Sequence, residues 1–360
     1  MGVDKVRIQN FKSIKDSGYV HIQPINILIG ANGVGKSNFI SFFKFLSKIY
    51  TQQLQLYVGQ NGRANNFLHF GRKKSEFISG EIVFDNEWQN EYVFELVPNQ
   101  GDNFVFSKEQ SNFQAPNQNK NVFGYHTGHE ESLIKNDDGF RNKYLRNNLS
   151  SFKIFHFHDT SVEARVKQFC NTTDYAFLRE DGGNLAAFLY RLQEKKSAHF
   201  TMIQRTIRSI APFFDTFFLQ PDEINDNQIQ LRWLEKSSDQ IFNAHNLSDG
   251  TLRMICLTTL LLQPYPPETI IIDEPELGLH PFAIEKLAAM LKNASNDAQI
   301  IISTQSVNLI NHFNANDVIV VERQNNQSTF KRLDDNHLSE WLDDYSLSDL
   351  WEKNVLGGRP

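Results

Sequence analysis

Residues Gly30-Ala31-Asn32-Gly33-Val34-Gly35-Lys36-Ser37 satisfy the pattern G-x-x-x-x-G-K-[ST] at every fixed position. Glycines so placed let backbone N–H groups converge on a phosphate chain, and a helix starting behind them adds the positive end of its dipole. Lys36 has the reach to meet the β- and γ-phosphates, Ser37 carries a hydroxyl for Mg²⁺, and Asn38 follows directly. The chemistry on offer is the binding of a nucleoside triphosphate with its Mg²⁺. A chance glycine-rich turn would spell the same letters, so the flanking elements must decide.

Two further constellations bear on that site. Thr269-Ile270-Ile271-Ile272-Asp273-Glu274 is an apolar run closed by two acids. The run suits a strand buried on both faces. Asp273 at its end can orient Mg²⁺ and a water, and Glu274 can take a proton from an attacking water. The motif is weak alone and gains weight from the phosphate loop upstream. In Asn246-Leu247-Ser248-Asp249-Gly250-Thr251-Leu252-Arg253, Ser248 reads as a helix N-cap and Gly250 as a point of close approach. Such a loop offers N–H groups and a hydroxyl to a phosphate. An ordinary helix cap explains the same residues, but Ser248 precedes Asp273 by only 25 residues, which favours the phosphate reading.

These residues need elements to hold them. The patterning predicts strands over 3–9 and 20–29, the second running into the glycine loop. A helix follows on which Phe39, Ile40, Phe42, Phe43, Leu46 and Ile49 recur at helical spacing. Short strands over 77–84, 91–97 and 103–107 form an antiparallel meander. Residues 108–150, rich in Asn, Gln, Ser and Lys, read as a surface insert with little core, helical near 141–149. A strand over 153–158 puts His156 and His158 on one face. Residues 183–214 read as helical, and strand-like runs surround Phe217-Phe218 and 229–231. The last third alternates helix 250–262, strand 269–273, helix 281–292, strand 299–303, a helix near 306–312 and strand 317–321. That order predicts parallel strands with helical crossovers. The end of the chain reads as a polar helical tail, with Asp334, Asp335, Asp343 and Asp344 as solvated acids.

The chain has 360 residues, of which 40% are hydrophobic and 30 are phenylalanine, so it can build a core and is not globally disordered. A formal net charge of -6 argues against coating DNA by bulk charge. Cys170 and Cys256 stand far apart, which suits a reducing cytoplasm and no disulfide framework. The most apolar stretch, near 254–262, is short and bordered by Arg253, so no membrane span is expected, and the N-terminus lacks a charged start followed by a long apolar run, so no signal peptide is expected.

Together with the phosphate and Ser248 loops, three segments carry a resemblance: Val6-Arg7-Ile8-Gln9-Asn10-Phe11-Lys12-Ser13-Ile14, Asp273-Glu274-Pro275-Glu276-Leu277-Gly278-Leu279-His280-Pro281, and Ile301-Ile302-Ser303-Thr304-Gln305-Ser306. The chain resembles the SMC/RecF-type branch of ABC ATPases, and within it the stand-alone ATPases related to the OLD and PtuA proteins of bacterial anti-phage defence. The likeness covers nearly the whole chain and is weakest over 98–150. It implies an α/β fold: an ABC-type P-loop NTPase with a mixed central sheet, an antiparallel β-subdomain and an inserted helical lobe that starts near Gly183-Asn184-Leu185. The corresponding division is a P-loop half (1–75), the β-subdomain with its polar insert (76–150), a Q-loop-like strand and helical signature lobe (151–249), a Walker B and switch half (250–330) and a tail (331–360).

The resemblance also implies the roles of residues. Two protomers meet head to tail, each ATP held by Gly30, Ala31, Asn32, Gly33, Val34, Gly35, Lys36, Ser37 and Asn38 of one and by Ser248 and Gly250 of the other. Ser37 and Asp273 hold Mg²⁺, Glu274 is the base, and Lys36 and Gln305 assist. The switch position commonly holds His; a glutamine can hydrogen-bond a phosphate or water but carries no proton at neutral pH, so slow turnover is expected. The end of His156-Phe157-His158-Asp159 lies where the Q-loop would be, which makes His158 and Asp159 candidates to approach Mg²⁺. The two histidines could also begin a metal site, although a structural role is the commoner one.

The expected function is an ATPase, acting as a homodimer or higher assembly in the cytoplasm, that controls a separate effector such as a small Toprim-like nuclease in anti-phage defence. Only 39 residues follow Val321, against on the order of 100 for a fused nuclease domain. A RecF-like DNA repair ATPase and a non-hydrolysing ATP-bound scaffold are the alternatives. DNA as a partner rests on the family likeness. The basic and aromatic mix of Phe140-Arg141-Asn142-Lys143-Tyr144-Leu145-Arg146, and the pair Arg205 and Arg208, each read better singly as solvated helix faces. No membrane partner is expected.

Overall fold

Strands that are apolar without interruption need cover on both faces. The computed structural model describes residues 2–334, 338, 341 and 344–358, with the backbone alone for Phe140 and Arg141. Its central sheet runs in the order Gln327–Arg332, Val318–Gln324, Ile25–Ile29, Gln299–Ser303, Thr269–Asp273, Phe152–Phe155. Neighbours are parallel except the hairpin of Val318–Gln324 with Gln327–Arg332, so the sheet is mixed.

Alternate residues of each strand leave on opposite sides. Ile27, Ile29, Ile270, Ile272, Ile300 and Ile302 join a core shared with the helices Leu185–Lys195, Ser197–Ile210, Asp249–Leu262 and Pro281–Ala294. Leu28, Ile271, Ile301, Ile319 and Val321 face a second core built on the helix Lys36–Tyr50. All six apolar residues expected on that helix are buried. Its far side meets an antiparallel sheet ordered Ile14–Asp16, Val3–Phe11, Ile78–Phe84, Glu91–Pro98, Phe104–Phe113, Asn121–Gly124, with Val20–His21 also paired to Val3–Phe11. Aromatic rings join the layers: Phe42 meets Phe11 edge-on with centroids 5.6 Å apart and stacks on Phe94 at 6.1 Å.

Four expectations need correction. The strand expected over 103–107 continues to Phe113 and pairs with Asn121–Gly124, and Ile134, Leu145 and Leu149 are buried. The stretch 108–150 is therefore not a surface insert. Several of its polar side chains are buried, some in hydrogen-bonded groups, which a hydrophobic reading does not register. Glu109, 1% exposed, accepts hydrogen bonds from Tyr92 Oη (2.7 Å), Ser132 Oγ (2.5 Å) and Leu133 N (2.9 Å). The strand expected over 153–158 stops at Phe155, where its pairing with Ile272 ends, so His156 and His158 share no strand face. The stretch 183–214 is helical as expected, in two helices that meet at Lys196, and strands follow at the two runs expected, with a small sheet of Phe214–Phe217, Arg232–Glu235 and Ile241–Asn243 in which Trp233 stacks on Phe242 at 5.0 Å. The inserted lobe is thus helical and stranded together.

The tail is the fourth. Ser346 caps a helix, Leu347–Glu352, that buries Leu347, Leu350 and Trp351, and Leu356 beyond it is buried as well. Asp344 is exposed, as a solvated acid should be, while Asp335 and Asp343 lie outside the described residues. No helix among the described residues is long and apolar enough to cross a membrane. If the tail docks in this way, Leu350→Ala should cost about 2–5 kcal/mol in urea unfolding. Asp344→Ala should stay within about 0.5 kcal/mol of wild type.

Candidate nucleotide-binding site

The strand Ile25–Ile29 ends at the glycine loop, and the helix begins at Lys36. Gly35 is the N-cap at φ 118°, and a Cβ there would run into the hydroxyls of Ser328 and Ser13. Gly30, at φ 149°, lies where a Cβ would strike the Val321 carbonyl. Both positions demand glycine for conformation and for space. Val34 and Lys36 are buried, whereas Asn32, Gly33 and Ser37 are exposed on the rim of the loop. The Lys36 ammonium donates to the carbonyls of Gly30 (2.6 Å) and Ala31 (2.9 Å). Burial lowers its pKa, opposed by the carboxylates of Glu274, Asp273 and Glu276.

Asn38 does not turn its amide into the loop; Nδ2 donates to Ser13 Oγ at 2.7 Å. Ser13 and Ser328 hydroxyls are 2.7 Å apart, and Ser328 Oγ donates to the Val34 carbonyl at 2.5 Å. This buttress under the loop has no signal in the sequence, because Ser13 and Ser328 come from opposite ends of the chain and Ser328 sits in no motif.

The acids lie at the ends of the neighbouring strands. Asp273 is paired in register with Ser303, whose hydroxyl donates to its carboxylate. Glu274 turns out of the strand at φ 44°, a left-handed conformation unusual for a side chain of this size, with its N–H on the Ser303 carbonyl at 2.9 Å. Gln305 Nε2 donates to Glu274 Oε1 at 2.5 Å. The two residues nominated as base and switch are thus in direct contact.

His158 Nε2 donates to the Asp273 carbonyl at 2.7 Å. His156 is half-buried, and burial lowers its pKa. Asp159 is exposed and accepts from the hydroxyl (2.7 Å) and N–H (3.1 Å) of Ser161, which hold its carboxyl below the ordinary value. It caps its own turn. No cluster of three or more His, Cys, Asp or Glu suited to a metal occurs among the described residues.

Ser248 caps the helix Asp249–Leu262, accepting from Thr251 N at 3.2 Å. Gly250 stands so close to Gly278 that a Cβ would lie 2.7 Å from the Gly278 carbonyl oxygen. Ser248, Gly250, Gly278 and His280 line an open cleft of about 220 Å³. Among the described residues no hydrogen bond or ion pair joins Ser248 or Gly250 to the phosphate loop. Arg253, one turn further on, donates to the carbonyls of Leu277 (2.8 Å), His158 (2.9 Å) and Phe157 (3.2 Å). It ties this helix to the segments on both sides of Asp273, a clamp that its place in the motif did not announce.

Glu276 is the other residue the motifs left without a role. Its Oε1 accepts from Thr304 Oγ1 (2.5 Å) and Gln305 N (3.3 Å), and its Oε2 is buried with no hydrogen-bond partner among the described residues. Burial raises its pKa above the ordinary 4.5. The folded chain therefore keeps a proton that the unfolded chain has already released, and stability falls as pH rises from that ordinary value through the folded one. Glu276→Gln removes the titration. Its unfolding free energy should decline less than that of wild type as pH rises above the ordinary carboxyl value of 4.5; equal declines would mean that Glu276 is not buried as a neutral acid.

Residues 25–311 match the family described as "AAA domain, putative AbiEii toxin, Type IV TA system". Among solved structures the chain is similar to an Smc head bound to the C-winged helix domain of ScpA, with a TM-score of 0.59 at 15% identity over 94% of this chain and 100% of that one. It is also similar to the Smc head domain with an extended coiled coil bound to the C-terminal domain of ScpA from Pyrococcus furiosus, with a TM-score of 0.55 at 14% identity over 95% and 99%. Identities this low establish the fold alone. A curated protein, urease accessory protein 2 of Cryptococcus neoformans, is 38% identical over 93 residues; the match spans 24% of this chain and only 7% of that protein's length. With the family match extending over most of the sequence, the chain belongs to this AAA-domain family, and its glycine loop, acids and capped helix are arranged on a fold similar to that of the SMC heads.

Proposed function

We propose that the chain is a Mg²⁺-dependent ATPase that closes into a head-to-tail dimer around ATP. The observation that carries this reading is the 2.5 Å contact of Glu274 with Gln305 beside the buried Lys36 ammonium. In this reading the loop N–H groups take the phosphates, and Lys36 exchanges the Gly30 and Ala31 carbonyls for phosphate oxygens. Ser37 and Asp273 would hold Mg²⁺, for which hydroxyl and carboxylate oxygens are suitable donors and which neutralises phosphate charge. Glu274 accepts a proton from the water that attacks the γ-phosphorus, and the bond to the ADP oxygen breaks. Gln305 holds Glu274 in place but cannot relay the proton, so turnover is slow.

Among the described residues no hydrogen bond or ion pair joins Ser248 or Gly250 to the loop of their own chain, which supports their serving the ATP of a second protomer. Closure then follows the γ-phosphate, and hydrolysis releases it. The partner effector belongs to the same proposal. The family description names a toxin of a toxin–antitoxin system, and the similar SMC heads are described bound to ScpA domains. Together with the OLD and PtuA likeness, these support a regulator of a separate effector, a nuclease above all, in anti-phage defence.

Glu274→Gln should slow phosphate release about 10²–10⁴-fold and leave an ATP-bound dimer in light scattering. A variant that stays monomeric with ATP and hydrolyses normally would sink the mechanism. Gln305→His should change either the turnover rate or the ATP affinity; if neither moves, Gln305 has no part in the site. Purification from the native host should bring down a small nuclease, whereas recovery of a recombination factor instead would replace defence by repair.

A further inference from the structure

The basic residues that the sequence singled out are already partnered in part: Arg146 pairs with Asp138, and Arg208 donates to the Asp215 carbonyl. A different surface gathers unpaired cations. Beside the edge strand Phe152–Phe155, between the helix Leu185–Lys195 and the loop 263–267, lies a cleft of about 500 Å³, a size typical of ligand-binding clefts. Lys153, Arg191, Lys195 and Lys196 line it, and no acidic residue does. Among the described residues none of the four has a carboxylate within salt-bridge distance, and Glu180, an acid whose charge is felt by Lys153, stands off the lining.

Aromatic rings alternate with these cations. Tyr265, Phe177 and Tyr175 line the same cleft and are 74%, 58% and 37% exposed. Each ring carries a cation: Arg191 lies 4.7 Å from the Tyr175 centroid, Lys196 4.8 Å from Tyr265 and Lys153 5.3 Å from Phe177. Lys196 Nζ also donates to Tyr265 Oη at 2.8 Å. Tyr265 sits in Gln263-Pro264-Tyr265-Pro266-Pro267, where prolines on both sides fix the backbone. A large ring held in place by Lys196 and three-quarters in water buries little surface for folding. It is already ordered for a ligand, so stacking on it costs little further entropy.

Flat exposed rings interleaved with unpaired cations match the alternation of bases and phosphates in a strand. A peptide rich in acids would satisfy the charges and leave the rings unused. A duplex would keep its bases stacked on one another, out of reach. The strands Phe152–Phe155 and Thr269–Asp273 run parallel and begin at this cleft, whereas the phosphate loop and acids lie at their other ends. The cleft is therefore separate from the nucleotide site, and its residues do not depend on the ATPase reading. We propose that this cleft binds single-stranded nucleic acid, with bases stacked on Tyr265, Phe177 and Tyr175 and phosphates on the four cations.

Fluorescence anisotropy of a labelled oligothymidine with the full chain tests this. Wild type should bind the single strand more tightly than a duplex of the same length. Lys195→Glu/Lys196→Glu should weaken binding more than about tenfold. Tyr265→Ala should weaken it about fivefold or more, and Tyr265→Phe should restore it, since the ring rather than the hydroxyl stacks. In Lys195→Gln/Lys196→Gln the slope of log affinity against log salt should shrink by about one unit or more. Several results would overturn the assignment: no binding by wild type, all variants at wild-type affinity, or a duplex bound as tightly as the strand. Displacement by oligoglutamate at equal concentration would assign the cleft to an acidic protein segment, and equal affinity for thymidine monophosphate would assign it to a free nucleotide.

Discussion

Parallel pairing of Ile25–Ile29 with Gln299–Ser303, and of that strand with Thr269–Asp273, makes three strands finish along one edge of the central sheet. The register is close: Ser303 lies between Leu28 and Asp273. A one-residue slip would turn every isoleucine of these strands to the wrong side of the sheet, and both sides are covered by apolar cores. Hydrophobic burial on two faces therefore fixes the register. The register delivers Gly30, Glu274 and Thr304 to the same place, where the chain leaves the sheet.

That edge concentrates conformations and charges that folding alone would avoid. Glu274 has a left-handed backbone, Glu276 is a buried carboxyl with one oxygen unpartnered, and Lys36 is a buried ammonium satisfied by its own loop. Each is unfavourable by itself, and such features persist where the surrounding structure over-determines them. Here the sheet below is rigid, and Ser13, Ser328, Thr304 and Ser303 supply short hydrogen bonds around the strained segments. The Lys36 bonds to Gly30 and Ala31 are ones a phosphate can replace, so the loop is held in shape by contacts that ligand chemistry can take over.

The capped helix Asp249–Leu262 is linked to this edge through one side chain. Arg253 grips the backbone at Phe157 and His158 on one side of Asp273 and at Leu277 on the other. A displacement of Ser248 and Gly250 would be felt at those carbonyls, and through His158 at the carbonyl of Asp273. The tail contributes on the opposite side of the loop: Gly358 N–H donates to Glu322 at 3.0 Å, and a Cβ on Gly358 would come within 3.3 Å of the Gly30 Cα. Segments remote in sequence thus bear on both the loop and the acids.

Much of this was legible in the sequence. The glycine loop, the apolar strand closed by Asp273 and Glu274, and the cap at Ser248 are local patterns, and backbone geometry with burial period determines such patterns residue by residue. The SMC/RecF-type fold followed from those patterns in order. What tertiary structure decided is whatever depends on residues far apart in the chain. The Gln305–Glu274 contact, the Ser13–Ser328 buttress, the Arg253 clamp and the cleft that gathers Lys153, Arg191 and Tyr265 each join segments whose spacing carries no period. Polar burial was hidden for a related reason. Glu109 looks like a surface residue until Tyr92, Ser132 and Leu133 are brought to it, and the tail looks solvated until Leu350 and Trp351 find the core. A sequence displays which groups can hydrogen-bond or stack, but only the folded chain chooses their partners.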